Sequence, residues 1–174
     1  MISTRLPTLF ALGVAFFAPA TAEERFTGPP QAARGRDLFF TTAKPMPCGT
    51  CHNIGGNGTA VGPDLTRWSK MSPRVTGIAI SSTVTENVLW IQPKQGAAFP
   101  ALKTADGGYQ DLSQNPPVLR KLAAADTASI VPNSTWKHPP GLAKPTLEQL
   151  ADVVSFIRWS GAKDGKPVKP EEVE

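Results

Sequence analysis

Reactive side chains are scarce in this chain of 174 residues, which has two cysteines, two histidines and three methionines. A structural zinc site needs four ligands, and beyond the short segment that holds both cysteines the chain offers only His138. The sequence also lacks a G-x-S-x-G motif and a phosphate-binding loop, and its carboxylates are scattered. A net charge of +4 without a dense Lys/Arg stripe does not indicate nucleic-acid binding. These absences leave few chemistries open.

Long apolar runs are absent apart from one at the amino terminus. Arg5 precedes an apolar stretch over residues 9–22, LFALGVAFFAPATA, that is too short to cross a bilayer as a stable helix. The stretch has the features of a secretory signal, with small residues at Ala20 and Ala22 before the cleavage site. We therefore predict a signal peptide over residues 1–22, export to the periplasm, and no stable membrane span.

The remainder of the chain is long enough for one domain with a hydrophobic core, which we place at residues 23–161. Its 18 prolines and 15 glycines, counted over the whole chain, indicate long loops between few regular elements. Residues 162–174, AKDGKPVKPEEVE, are polar and rich in proline. We expect them to form a disordered or surface-draped tail without a function of its own.

Both cysteines lie in one motif, C-G-T-C-H, which runs from Cys48 through Cys51 to His52. In a C-x-x-C-H segment the two thiols add across the vinyl groups of haem, and the adjacent histidine binds the iron. A disulfide or a redox-active thiol pair is the alternative in an oxidising compartment. The preceding sequence, however, lacks the βαβ pattern that accompanies a thioredoxin-like motif. The motif therefore predicts one covalently bound haem c, with iron held by His52.

A glycine-rich stretch follows the motif and ends in the turn G-P-D-L at Gly62 to Leu65. Glycines let the backbone approach a flat ring closely. With the motif and this stretch, the chain resembles the class I c-type cytochromes and is similar to the monohaem domains associated with bacterial dehydrogenases. The resemblance implies that this loop wraps the haem. It also implies that the carbonyl of Pro63 accepts a hydrogen bond from the second ring nitrogen of His52.

The resemblance further implies a mainly α fold, namely the class I cytochrome c fold with long loops and a small inserted β-hairpin. In that family the first and last helices cross at a glycine and interlock through aromatic residues. Gly35, Phe39 and Trp159 match those positions.

Local patterns in the sequence predict individual elements. An apolar stripe and a capping box of Thr146 and Gln149 predict a last helix that ends at Gly161. Strand-like halves around D-G-G predict a hairpin over residues 98–113. The secondary structure of residues 75–92 is ambiguous, because their β-branched residues favour a strand. We favour a helix over residues 85–92. In all, we predict helices over residues 31–43, 85–92, 115–131 and 146–161.

The second axial ligand of the iron decides whether the site carries electrons or binds a small molecule. Met46 is too close to Cys48 to reach the other face of the haem. Met71 follows His52 by only 19 residues, whereas the resemblance implies a ligand from the loop before the last helix. Related haem domains carry Met-Pro-x-Gly-Leu before the last helix, and this chain has H-P-P-G-L there, starting at His138. The prolines stiffen the backbone that presents this histidine. We predict that His138 binds the iron, while Met71 or an open position remains an alternative.

Two imidazole ligands favour ferric iron relative to a His/Met pair, which predicts a low-potential electron carrier and not an enzyme. It would work alone or as the electron-accepting subunit of a dehydrogenase. We expect its partners to be redox proteins: a periplasmic dehydrogenase, other cytochromes or an oxidase. Lys44, Lys137 or Lys144 would guide an acidic partner. The alternative is a haem-based ligand-binding or peroxidase-like protein with an open distal site.

Overall fold

The structure of the protein is a computed structural model that describes residues 26–41, 47–82, 85, 87–139 and 145–174. The predicted signal peptide, Met46 and two of the three lysines named above, Lys44 and Lys144, lie outside these ranges. Helices within the described ranges are too short or too polar to cross a lipid bilayer.

The described residues form three α-helices, short 3-10 helices and two antiparallel sheets. The α-helices are α1 (Pro30–Phe40), α2 (Pro73–Ser81) and α3 (Leu147–Ala162). The 3-10 helices span Cys48–Thr50, Leu65–Lys70, Ala124–Asp126 and Pro170–Glu172. The strands are β1 (Asn53–Ile54), β2 (Asn57–Gly58), β3 (Leu89–Pro93), β4 (Phe99–Lys103), β5 (Tyr109–Asp111), β6 (Val118–Arg120) and β7 (Thr127–Pro132).

Helices α1 and α3 cross where α1 carries a glycine. A Cβ added to Gly35 would lie 1.9 Å from the backbone O of Asp152, so only glycine allows this approach. Beside the crossing, the rings of Phe39 and Phe156 have centroids 5.3 Å apart. The predicted roles of Gly35 and Phe39 are confirmed, but the aromatic partner in α3 is Phe156. Trp159 lies instead against the loop that precedes α1.

Helix α3 begins where its sequence indicates and ends at Ala162, one residue after the predicted end at Gly161. Thr146 and Gln149 form the predicted capping box, with two hydrogen bonds of 3.2 Å between side chains and backbone N–H groups. Lys163 closes the helix in the left-handed conformation, with φ at 55°. The helix predicted over residues 146–161 is confirmed.

The carboxy-terminal segment packs along the helices. Val168 and Val173 are buried in one apolar cluster with Val154 of α3. The side chain of Gln31 exchanges two hydrogen bonds, of 2.7 and 2.9 Å, with the backbone of Val168. These contacts bind the end of the chain to both α1 and α3, whereas the domain boundary at residue 161 stays a prediction.

The larger sheet has five antiparallel strands in the order β6-β5-β4-β3-β7. Its core is a separate buried cluster made by Ile91, Phe99, Ala101 and Tyr109. Strands β4 and β5 form the hairpin predicted over residues 98–113. The predicted mainly α fold is wrong, because the structure is α/β, with a five-stranded sheet beside the helices.

Two predicted helices are strands in the structure. The segment predicted as a helix over residues 85–92 enters β3, and the one over residues 115–131 contains β6 and most of β7. Strand β7 pairs with β3, where Ile130 lies opposite Ile91 and Val131 opposite Trp90. Pairing satisfies the backbone hydrogen bonds of both segments, and their β-branched residues suit a pleated surface.

Candidate functional site

The C-G-T-C-H motif forms a tight turn that packs against the end of α1. The backbone N–H groups of Cys51 and His52 both donate to the carbonyl O of Cys48, at 3.1 and 2.8 Å. A Cβ added to Gly49 would lie 2.4 Å from the ring of Phe40, the last residue of α1. The turn is therefore packed directly against the helix, and the two cysteines and the histidine have fixed relative positions.

Both thiols are free, and burial makes them poor nucleophiles. Burial raises the pKa of Cys48 to about 11 and also raises the pKa of Cys51. Thiols that act in redox exchange or nucleophilic catalysis need a lowered pKa, because the thiolate is the reactive form. The electrostatics of the turn therefore disfavour a redox-active thiol pair.

The glycine-rich loop folds back onto the motif. Gly58 has φ at 99°, and a Cβ there would lie 2.3 Å from the carbonyl O of His52. The N–H of Gly62 donates to the carbonyl O of Cys51 at 2.7 Å. A Cβ on Gly62 would lie 2.8 Å from Cε1 of the His52 ring. The imidazole thus rests against the bare α-carbon of Gly62, and a larger residue would displace it.

His52 is held by the hydrogen bond that the resemblance implies. Its Nδ1 lies 2.8 Å from the carbonyl O of Pro63. A carbonyl oxygen can only accept, so Nδ1 carries the proton and Nε2 keeps its lone pair in the neutral ring. Burial lowers the pKa of His52 and outweighs the opposing effect of the bond to Pro63. Neutral imidazole with a free Nε2 is the form of histidine that binds a metal.

His138, which follows the last strand of the sheet, lies beside His52. After β7 ends at Pro132, the chain turns and brings the ring of His138 to His52, with ring centroids 5.8 Å apart and ring planes at 29°. Burial lowers the pKa of His138, and the neighbouring His52 lowers it further. Both imidazoles therefore favour the neutral state that binds metal.

The spacing of the two rings fits one iron between them. Each metal–nitrogen bond is about 2 Å and the distance from nitrogen to ring centre adds about 1 Å, so two such ligands have centroids about 6 Å apart. The observed 5.8 Å agrees with this value. The donor set also fits haem c, since two free thiols precede one of the imidazoles at the required spacing.

No model of a known protein family matches the chain, and no curated protein matches it either. The predicted site residues Cys48, Cys51, His52, Pro63 and His138 lie in one connected region.

Met71 has a different setting from His138. It lies at the end of the 3-10 helix Leu65–Lys70, its side chain is 46% exposed, and its carbonyl O accepts a hydrogen bond from Arg158. The structure thus brings His138 to His52 and leaves Met71 at the surface.

Two contacts of the site were not predicted from the sequence. The sequence predicts Gly62 only as the first residue of the G-P-D-L turn, and its contact with the His52 ring was not predicted. Trp136 has no predicted role, yet its ring meets that of His138 edge to face, with centroids 6.4 Å apart. Its place two residues before His138 is the only signal in the sequence.

Proposed function

We propose that the protein is a periplasmic electron-transfer protein that carries single electrons on one covalently bound haem c. Cys48 and Cys51 would attach the haem through thioether bonds, and His52 and His138 would hold its iron. The observation that carries the proposal is the pair of imidazole rings, whose centroids lie 5.8 Å apart, a spacing compatible with one iron held between them.

The haem supplies reversible one-electron chemistry of iron when it is bound. The chain supplies attachment and orientation. The carbonyl of Pro63 holds Nδ1 of His52, which fixes the ring and raises the basicity of its Nε2. Gly62 leaves room for that ring, and His138 would compete with an external ligand for the iron.

This arrangement favours a carrier over the ligand-binding or peroxidase-like alternative. A peroxidase or gas sensor needs a distal position that is open to a small molecule. His138 is half-buried and lies against His52, so it competes for that position within the chain. Two imidazoles also favour ferric iron relative to an imidazole and a thioether, and the reduction potential should be low for a c-type cytochrome.

Partners and compartment follow from the same proposal. Export to the periplasm would follow from the signal peptide over residues 1–22, and sequencing of exported protein should find Glu23 as its first residue. Lys137 is exposed next to His138, where it can attract an acidic redox protein such as a dehydrogenase, another cytochrome or an oxidase. The protein would then work alone or as the electron-accepting subunit of a dehydrogenase.

Covalent attachment is tested by expressing the full chain in the periplasm of a host with a c-type maturation system. Denaturing gels stained for haem peroxidase activity should show haem that migrates with the chain. Acidified organic solvent should leave the pigment attached to the protein. The Cys48→Ser and Cys51→Ser variants should each lose one thioether bond, and the double variant should lose covalent haem. A colourless wild-type protein, or pigment that the solvent extracts, would overturn the proposal.

Axial ligation is tested by optical and electron paramagnetic resonance spectra of the purified protein. The wild type should be low-spin and six-coordinate in the ferric state, and carbon monoxide should bind slowly to the ferrous state. The His138→Ala variant should become high-spin and bind carbon monoxide rapidly, while His138→Met should remain low-spin with a raised potential. A low-spin bis-imidazole spectrum in His138→Ala would rule out His138 as the ligand.

A further inference from the structure

We infer that Asn133 and Trp136 are positioning residues that hold His138 in place as the distal ligand. This inference rests on the proposed function, because it concerns the iron-bound state of His138. It names two residues for which the C-x-x-C-H motif and the H-P-P-G-L segment predict no role.

Asn133 organises the turn between β7 and His138. Its backbone N–H donates to the carbonyl O of Val88, just before β3, at 2.8 Å. Its side-chain Oδ1 accepts three hydrogen bonds: from the N–H of Thr135 at 3.1 Å, from the hydroxyl of Thr135 at 3.0 Å and from the N–H of Trp136 at 2.9 Å. This Asx-type turn ties the start of the distal segment to the sheet and fixes the backbone of Trp136.

Trp136 contacts the ring of His138 and limits its movement. Its half-buried indole ring meets the His138 ring at 81°, with centroids 6.4 Å apart. An edge-to-face contact of this kind restricts how far either ring can turn. Pro139 follows His138 and restricts its backbone to extended conformations. The ring of His138 is therefore confined by the indole of Trp136, and its backbone is confined by Pro139.

Such confinement matters because a distal ligand on a loop must lose conformational freedom each time it binds. A loop that already holds the ring in place loses less, so the bound state is more populated. The turn at Asn133 and the ring of Trp136 reduce this cost for His138. Without them, His138 should leave the iron more often and external ligands should bind more readily.

The inference is tested with the haem-loaded full-length protein and carbon monoxide as the probe. The rate of carbon monoxide binding to the ferrous state should rise at least about tenfold in Asn133→Ala, which removes three accepted hydrogen bonds, and roughly tenfold in Trp136→Ala, which removes one ring contact. Asn133→Asp should keep the wild-type rate of carbon monoxide binding, because a carboxylate oxygen accepts the same three hydrogen bonds. Trp136→Phe should bind carbon monoxide at a rate close to that of the wild type, because the aromatic edge remains.

The matched control is Trp90→Ala, which removes another tryptophan, 40% exposed on β3. It should leave the rate unchanged. Thermal unfolding and the low-spin electron paramagnetic resonance signal are recorded for every variant, because a merely structural role would lower stability without changing ligand exchange. If Asn133→Ala fails to fold, the comparison of Trp136→Leu with Trp136→Phe still separates an aromatic contact from simple volume.

The outcomes separate the inference from the proposed function. If the wild type is low-spin, His138→Ala binds carbon monoxide rapidly, and the Asn133 and Trp136 variants match the wild type, the inference alone fails. If the Trp90→Ala control changes the rate as much as Trp136→Ala, the inference also fails. If His138→Ala keeps the wild-type spectrum, the proposed ligation fails and the positioning role fails with it.

Discussion

Replacement of Gly35 by alanine tests the crossing of α1 with α3, and the last residue of α1 packs against the C-G-T-C-H turn. The added Cβ would lie 1.9 Å from the backbone O of Asp152 and 2.8 Å from Cβ of Phe156. A carbon and an oxygen in ordinary contact are about 3.3 Å apart, so the helices would have to separate by roughly 1.4 Å. Because the clashing oxygen belongs to the backbone of α3, no side-chain rotation relieves it.

The expected loss of stability is the difference between two opposing effects. Overpacking of a close contact costs about 1–3 kcal/mol, and weakening the nearby pair of Phe39 and Phe156 adds about 1 kcal/mol. Alanine is a better helix former than glycine by about 1 kcal/mol, which offsets part of the cost. The ion pair of Arg34 with Asp152 changes the balance little, since Arg34 is 61% exposed. We expect Gly35→Ala to lower the free energy of unfolding by about 2 kcal/mol.

The assay is urea unfolding, followed by circular dichroism, of the wild type and Gly35→Ala under identical conditions. The matched control is Gly165→Ala, where the nearest side-chain atom to the added Cβ lies at 3.5 Å, an ordinary contact. The control should stay within about 0.5 kcal/mol of the wild type. If Gly35→Ala proves as stable as the wild type, or more stable, helix propensity outweighs the clash and the crossing is not the constraint we describe.

Three further predictions concern the site and the end of α3. Gly62→Ala should push the imidazole of His52 away from Pro63 and abolish the hydrogen-bonded Nδ1–H resonance in NMR spectra; an unchanged resonance would mean that the ring does not depend on this glycine. Asp164 binds Lys166 N–H and the guanidinium of Arg158, which lowers its pKa below 3.8, so Asp164→Asn should reduce stability at neutral pH. That difference should vanish as the pH falls through the lowered pKa, and urea unfolding that shows the same difference in strong acid would contradict it. In haem-free protein at about pH 8, Cys48 should be a thiolate in only about one molecule in a thousand, and iodoacetamide should modify it more slowly than Cys51. Equal rates by mass spectrometry would show that burial does not protect Cys48.

Helix α3 could be predicted from the sequence because its signals are local. A capping residue, its partner three positions later and an apolar stripe all lie within one segment. Helix α2 carries an equally local signal. Ser72 caps its amino terminus, with its side chain accepting from Val75 N–H, and Pro73 occupies the first turn. The β-branched residues of this segment led instead to an ambiguous prediction.

The sheet could not be predicted because its pairing partners are distant in the sequence. Strand β7 is stabilised by β3, and the pairing of Ile130 with Ile91 becomes visible only when both strands are placed. The segment over residues 115–131 has apolar residues at spacings that also fit a helix, so periodicity alone cannot decide. The β-branched residues of β7 were the signal that favoured a strand.

The candidate site shows the same division between local and distant information. The turn that holds Cys48, Cys51 and His52 follows from consecutive residues, and its hydrogen bonds are short-range. The contact of His52 with Pro63 was implied by the resemblance and is present. The contacts of Gly62 and Trp136 depend on how two loops fold around the imidazoles, which no local pattern records.

The two histidines also connect two cores that share no residue. His52 belongs to the turn whose Cys48 packs against the helical cluster of Phe39 and Phe156, whereas His138 follows the sheet, whose cluster contains Ile91 and Phe99. Binding of both rings to one iron would close a loop of roughly 90 residues. A permanent cross-link of that length raises the free energy of the unfolded chain by about 4–5 kcal/mol, which is the upper limit for a reversible bond between iron and histidine. That amount is comparable to the whole stability of many domains. In the haem-loaded protein, amide hydrogen exchange should therefore show the sheet and α3 opening together, whereas in His138→Ala the sheet should open at a lower free energy than α3. Equal protection of the sheet in both proteins would mean that its own core is sufficient and that His138 serves the iron alone.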